Sequence, residues 1–252
     1  MHLKFHIEVE FATNAYQKGC WWMIFFNPLK TYFYHLFVLV RKDFLLEIRS
    51  KDVILPVFIF SLLVVVIFNF ALESTPNTVN LIVPGILWVS IMFGAMVGFN
   101  RMLLAETEGG AFHGLLASPV GRDVIFFGKV LSNVMFLIVI ELILVPILIV
   151  LFNVTLSPLN MLWISLPALF GISLCGMLFA TISMNMRAKE VMLPILFLPV
   201  VVPIILGAVE STHSIMNGGN LDQNFRWIAL MIVFDVIYGV LGPVSFTMIV
   251  ED

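Results

Sequence analysis

Two carboxylates stand where an ionised group is expensive: Glu141 and Asp235 each interrupt a long apolar run, with no Lys or Arg at the same depth. An acid inside a membrane helix faces the bundle interior or a water-filled path and is often protonated. It either bridges helices through a hydrogen bond or takes part in transport. We read both as intramembrane polar residues with a packing or functional role. The other reactive side chains form no site. The histidines are His2, His6, His35, His113 and His213, and no His/Cys/Glu cluster has metal-ligand spacing. Cys20 and Cys175 offer no disulfide framework, and Cys175 falls inside an apolar segment. No G-x-x-x-x-G-K-[ST] run exists, because Gly109-Gly110 leads into Ala-Phe-His. Without that phosphate cradle, any ATP chemistry belongs to a separate chain. No nucleophile–base or acid–base pair with an orienting group is visible, so the chain reads as no enzyme.

The elements around these residues follow from composition. The chain is 61% hydrophobic and 12% charged, with mean hydropathy +1.07. A soluble domain is about a quarter charged, so this much apolar surface must face lipid. The 13 basic residues in 252 make no nucleic-acid-binding patch. A bilayer core of about 30 Å needs roughly 20 apolar residues per helix. Six stretches qualify: 54–72, 81–99, a third within 124–152 and centred on 131–152, 161–186, 191–209 and 227–250. The expected fold is all-α, with six transmembrane helices. Pro194, Pro199 and Pro203 crowd the fifth stretch and predict a bent or re-entrant path there.

Before the first span, Phe33, Leu36, Phe37, Val40, Phe44 and Ile48 share one helical stripe, with Arg41, Lys42, Asp43, Glu47 and Arg49 off it. That pattern predicts an N-terminal amphipathic interfacial helix. With the N-terminus inside, twelve of the 13 basic residues collect on the inner face, Lys129 among them, and Arg226 alone lies outside. The positive-inside rule therefore places both termini in the cytoplasm. Residues 1–30 read as an extension of unknown role before a permease-sized domain over 31–252. Their Trp21-Trp22-Met23-Ile24-Phe25-Phe26 run is too short to span, and it is either interfacial or upstream of a start at Met23.

The inner loop between the second and third stretches carries Glu106, Glu108, Gly109, Gly110, Phe112, His113, Leu115, Leu116, Ser118 and Pro119. Its acids, glycines and short apolar knob suit docking into a groove on a soluble partner, or read simply as a solvated connection. Ser118 is the expected N-cap of the next helix, with Pro119 at its first position.

Several of these pieces together resemble the haem exporter B (CcmB) family of permease subunits. They are the charged start ending in Arg49, Pro84-Gly85-Ile86-Leu87-Trp88-Val89, and Arg101-Met102-Leu103 with Glu108-Gly109. Leu115-Leu116-Ala117-Ser118-Pro119, Gly128-Lys129-Val130 and Arg187-Ala188-Lys189-Glu190-Val191-Met192-Leu193-Pro194 follow, leading to Leu198-Pro199-Val200-Val201-Val202-Pro203. The resemblance covers residues 33–250 and departs at His113, where the family often carries an acid. Residues 1–30 have no counterpart in it.

The resemblance implies a fold like type-2 ABC exporter permeases in a bacterial inner membrane. It implies a coupling segment after the second span that contacts a separate ABC ATPase, and neighbouring membrane subunits that handle haem and a haem chaperone. ATP is then bound on the partner. Haem is handled by the complex and not attached here, since Cys-x-x-Cys-His is absent. On the outer loop 210–226, His213 reads as a solvated side chain, with axial ligation of haem as the alternative. Rival readings are an ABC exporter permease for a lipid, drug or polysaccharide, and a membrane scaffold that transports nothing.

Overall fold

The computed structural model describes residues 28–71, 76–108, 114, 120–154, 158–184, 189–219 and 224–251. Among the described residues it is all-helical: α1 (Pro28–Ser50), α2 (Ile54–Ala71), α3 (Pro76–Glu108), α4 (Arg122–Phe152), α5 (Pro158–Met184), α6 (Lys189–Met216) and α7 (Phe225–Glu251). The helices α2 to α7 are long and apolar enough to cross a membrane.

Burial sorts the spans. α3 and α5 bury most of their span residues, whereas α2 and α7 bury few. The core therefore lies around α3 and α5, where Trp88, Ile91, Phe99, Ile172 and Phe197 are fully enclosed. α2 and α7 offer Ile59, Leu63, Ile67, Val236, Val240 and Val244 to lipid. Small residues let α2 and α3 approach: a methyl on Gly98 would lie 3.1 Å from a Val57 methyl, and Gly94 sits one turn away against Ser61. Helix association in lipid depends on such close packing and on interhelical hydrogen bonds, because apolar burial alone gives little. The Ser61 hydroxyl supplies one, donating to the Ser90 carbonyl at 3.0 Å.

Several boundaries differ from the sequence expectation. α6 is one unbroken helix through Pro194, Pro199 and Pro203, so the re-entrant path is excluded. It also runs past the expected end and takes His213 out of the loop and into its last turn. The stop is set by Gly218 at φ 79, with the Gly219 amide donating back to the Ser214 carbonyl at 2.8 Å. α4 starts at Arg122 with Gly121 as its N-cap residue and no side-chain cap, so Ser118 is not the cap of this helix. Ser118 and Pro119 themselves lie outside the described residues.

α1 differs most in its facing. The expected single apolar stripe is split. Val40 is buried, together with Leu39 from outside that stripe, but Phe33 and Phe37 are each 64% exposed. Asp43 and Glu47, placed on the polar side by the sequence, are instead buried at 8% and 6% exposure. A helical wheel shows amphipathicity but not which face meets a neighbouring helix, and here the neighbour supplies polar partners.

Candidate coupling face

α1 packs along the first half of α4. Leu39 meets Gly128, where a methyl would lie 3.1 Å from Leu39 Cδ1. Further along, Phe44 stacks on Phe136 with ring centroids 6.2 Å apart. The contacts advance together along both chains, so the two helices run in the same direction. Between them lies a buried polar cluster. Lys129 Nζ, on a side chain only 2% exposed, sits 3.2 Å from Asp43 Oδ1 and 3.1 Å from Oδ2. Ser132 Oγ is 3.2 Å from Asp43 Oδ2 and 2.9 Å from the Gly128 carbonyl, and its single proton is shared between them. Lys42 adds a looser contact to Asp43 at 3.6 Å. Burial alone would push the Asp43 carboxyl up, but the Lys129 and Lys42 charges and the bonds from Lys129 and Ser132 hold it below the usual carboxylate range.

One turn on, Glu47 fixes the elbow into the first span. Its Oε1 accepts from the Val53 amide at 2.8 Å and the Ile54 amide at 2.6 Å. An acid on the free amides at the start of α2 also suits the positive end of that helix's dipole. Lys51, at φ 57, turns the chain between the two helices.

The sequence reading missed Asp43, Glu47, Lys129 and Ser132 as a site. The available signal was Lys129 itself, a cation bracketed by Phe126-Phe127-Gly128 and Val130-Leu131. Such a residue needs a carboxylate partner, but the sequence does not name it at a separation of 86 residues.

The expected site residues are brought together only in part. Arg41 and Arg49 lie exposed on α1 with Phe37, while Phe44 is half-buried against Phe136. Glu106 and Glu108 end α3, which runs on past the span limit at Met102, although their side chains are not described. Gly109, Phe112, His113, Leu115, Leu116 and Pro119 lie outside the described residues. The ends of α3 and α1 share one side of the bundle, because Gly98 of α3 meets Val53 and Val57 at the elbow.

The two intramembrane acids are separate. Glu141 of α4 is buried and accepts a hydrogen bond from Ser165 Oγ of α5, a side chain and not the backbone. Asp235 of α7 is only partly buried, with Oδ1 enclosed beside Gly171 and without a hydrogen-bond partner among the described residues. Because Ser165 needs only an acceptor, we expect Glu141→Gln to leave the bundle inserted and close to wild-type stability, its amide oxygen replacing Oε1. Glu141→Lys should fail, since a cation at mid-span costs about 2.5–3.5 kcal/mol or more. Membrane insertion and thermal unfolding in detergent measure both. Equal loss with Gln and Lys would mean that the carboxyl itself is required.

At the opposite end of the bundle, Trp88 Nε1 of α3 donates to Thr212 Oγ1 of α6 at 2.9 Å. Beside it the His213 ring lies 3.0 Å from the Asn217 side-chain amide. Among the described residues no group of three or more His, Cys, Asp or Glu side chains is placed to hold a metal. Cys175 is a buried free thiol.

Comparison with known proteins covers most of this architecture. The relatives include Heme exporter protein B of Haemophilus influenzae, 23% identical over 68% of this chain and 77% of that protein. That of Bradyrhizobium diazoefficiens is 22% identical over 73% and 83%, and that of Pseudomonas aeruginosa 20% identical over 76% and 86%. The family model for CcmB protein matches residues 34–251, a range that takes in α1 from Tyr34, the Asp43–Lys129 cluster and all six spans, and it places the chain in the CcmB family.

Proposed function

We propose that this chain is the membrane permease subunit of an ABC-type complex that serves cytochrome c maturation, by haem delivery or by release of a haem-loaded chaperone. The observation that supports this reading is the CcmB family match across residues 34–251, which falls on a bundle of six spans. In this reading the chain is not itself an enzyme. A separate soluble ATPase binds and hydrolyses ATP, and neighbouring membrane subunits handle haem and its chaperone. Residues 31–252 form the permease domain and residues 1–30 an extension. The asymmetry of basic residues supports cytoplasmic termini in a bacterial inner membrane.

The buried cluster gives this reading a mechanical path. α4 begins directly after the loop that would meet the ATPase, and Lys129 on its second turn holds Asp43. A displacement of that loop would carry the start of α4, and α1 with it, as one unit. Glu47 then passes the movement to the first span through the elbow. The test is loss and restoration. Deleting the gene in its host should abolish covalently bound haem on c-type cytochromes, and re-expressing the chain should restore it. Unchanged c-type cytochromes in the deletion strain would overturn the assignment.

A further inference from the structure

With Asp43 and Glu47 turned inward, the outward face of α1 is left without acids. Lys30, Phe33, Tyr34, Phe37, Arg41 and Arg49 are all exposed, and their spacing of one, three, four and eight places them along one side of a helix. Three aromatics, Phe33, Tyr34 and Phe37, are flanked there by Lys30 on one side and by Arg41 and Arg49 on the other. The exposed acid Asp52 lies past the helix end, at the elbow beside Lys51. After three intervening residues, α2 begins its apolar run at Ile54 and exposes Leu55, Ile59 and Leu63. The Arg49 end of the stripe therefore lies next to the start of the first span.

We propose that this face of α1 binds the anionic headgroups of the adjoining leaflet, the guanidinium and ammonium groups meeting lipid phosphates while the rings of Phe33, Tyr34 and Phe37 enter the acyl boundary. Charge selects the occupant. A face with cations and no acid attracts an anionic leaflet, and aromatic residues beside basic ones are the pattern of helices lying at that boundary. Arginine stems reach along apolar surface while their heads stay in the polar layer. The Asp43–Lys129 cluster contributes indirectly: it removes from the stripe the acids that would repel lipid phosphate, and it fixes the rotation of α1.

The test uses the full chain purified in detergent. It is titrated with phosphatidylcholine or phosphatidylglycerol in mixed micelles, and bound lipid is counted by native mass spectrometry. The wild type should prefer phosphatidylglycerol, and the preference should weaken as salt is raised. Each cation removed should lower it by roughly fivefold, so Lys30→Gln, Arg41→Gln and Arg49→Gln together should bring it close to that for phosphatidylcholine. The charge-keeping set Lys30→Arg, Arg41→Lys and Arg49→Lys should retain it, which separates lost charge from lost folding. A wild type with no preference, or a Gln set that keeps it, overturns the proposal. A Gln set that keeps the lipid preference but no longer co-purifies an ATPase assigns the stripe to that partner instead.

Discussion

Lys129→Met should release α1 from α4 and leave the six spans inserted. The substitution leaves Asp43 buried and charged with no close cation except the looser Lys42. Removing one member of a buried pair typically costs about 3–5 kcal/mol, more than the net contribution of the intact pair, because the abandoned charge keeps its desolvation penalty. Two unit charges about 3 Å apart attract by roughly 5 kcal/mol at an effective dielectric near 20, and that attraction offsets most of the cost of burying them. Asp43→Asn should be nearly as harmful, since it removes the carboxylate charge that faces the buried Lys129 ammonium. Asp43→Leu combined with Lys129→Met removes both charges and should recover most of the loss. Protease sensitivity of the α1–α2 elbow, together with thermal unfolding in detergent, measures all three. A Lys129→Met protein as resistant as the wild type would falsify the clasp. A double variant worse than either single one would show that the charges, and not the packing of the two helices, are required.

The direction of the Asp43 shift adds a pH dependence. Its carboxyl is held below the usual range in the folded chain, so its contribution is complete above the ordinary aspartate pKa of about 4. It is lost only as pH falls through the lowered value. Protease resistance at the elbow should therefore be flat through the neutral range and drop only in strong acid. In the Leu/Met double variant that acid-dependent drop should be absent.

The spans were legible because the bilayer imposes a length and an apolar run that survive without knowledge of neighbours. The first begins at Ile54 in both readings, and the third ends at Phe152 in both. What failed was each inference that needed a partner. The facing of α1 depends on Lys129 and Ser132, far along the chain. The end of α6 is set by the left-handed Gly218 and not by the fading of hydrophobicity at Glu210. The Asn217-Gly218-Gly219 run carried that stop signal and outranks polarity as a helix terminator. Glu141 was legible as an expensive intramembrane acid, but its partner, Ser165, lies on the next helix. The expected coupling segment lies in the chain between the long end of α3 and the start of α4, and most of it is outside the described residues.

That loop carries the second large effect. α3 continues six residues beyond its span limit at Met102, to Glu108, which at 1.5 Å per residue projects the start of the loop roughly 9 Å from the span. In the proposed reading, the apolar residues Phe112 and Leu115 that follow this helix end in the chain make the contact with a soluble subunit. Burying one such side chain contributes roughly 1.5–3 kcal/mol, and a central contact in a small interface carries a disproportionate share of affinity. Phe112→Ala with Leu115→Ala should therefore weaken ATPase binding by about tenfold to a hundredfold or more, with the bundle still inserted. Glu106→Ala and Glu108→Ala, at the rim, should change salt dependence more than affinity. The family resemblance implies an acid where His113 stands, so the facing surface of the partner should differ correspondingly. Co-purification of the ATPase at low and high salt distinguishes these outcomes. Undiminished binding by the double variant would move the contact to the outward face of α1 or to the 187–190 turn, and the projecting end of α3 would then need another purpose.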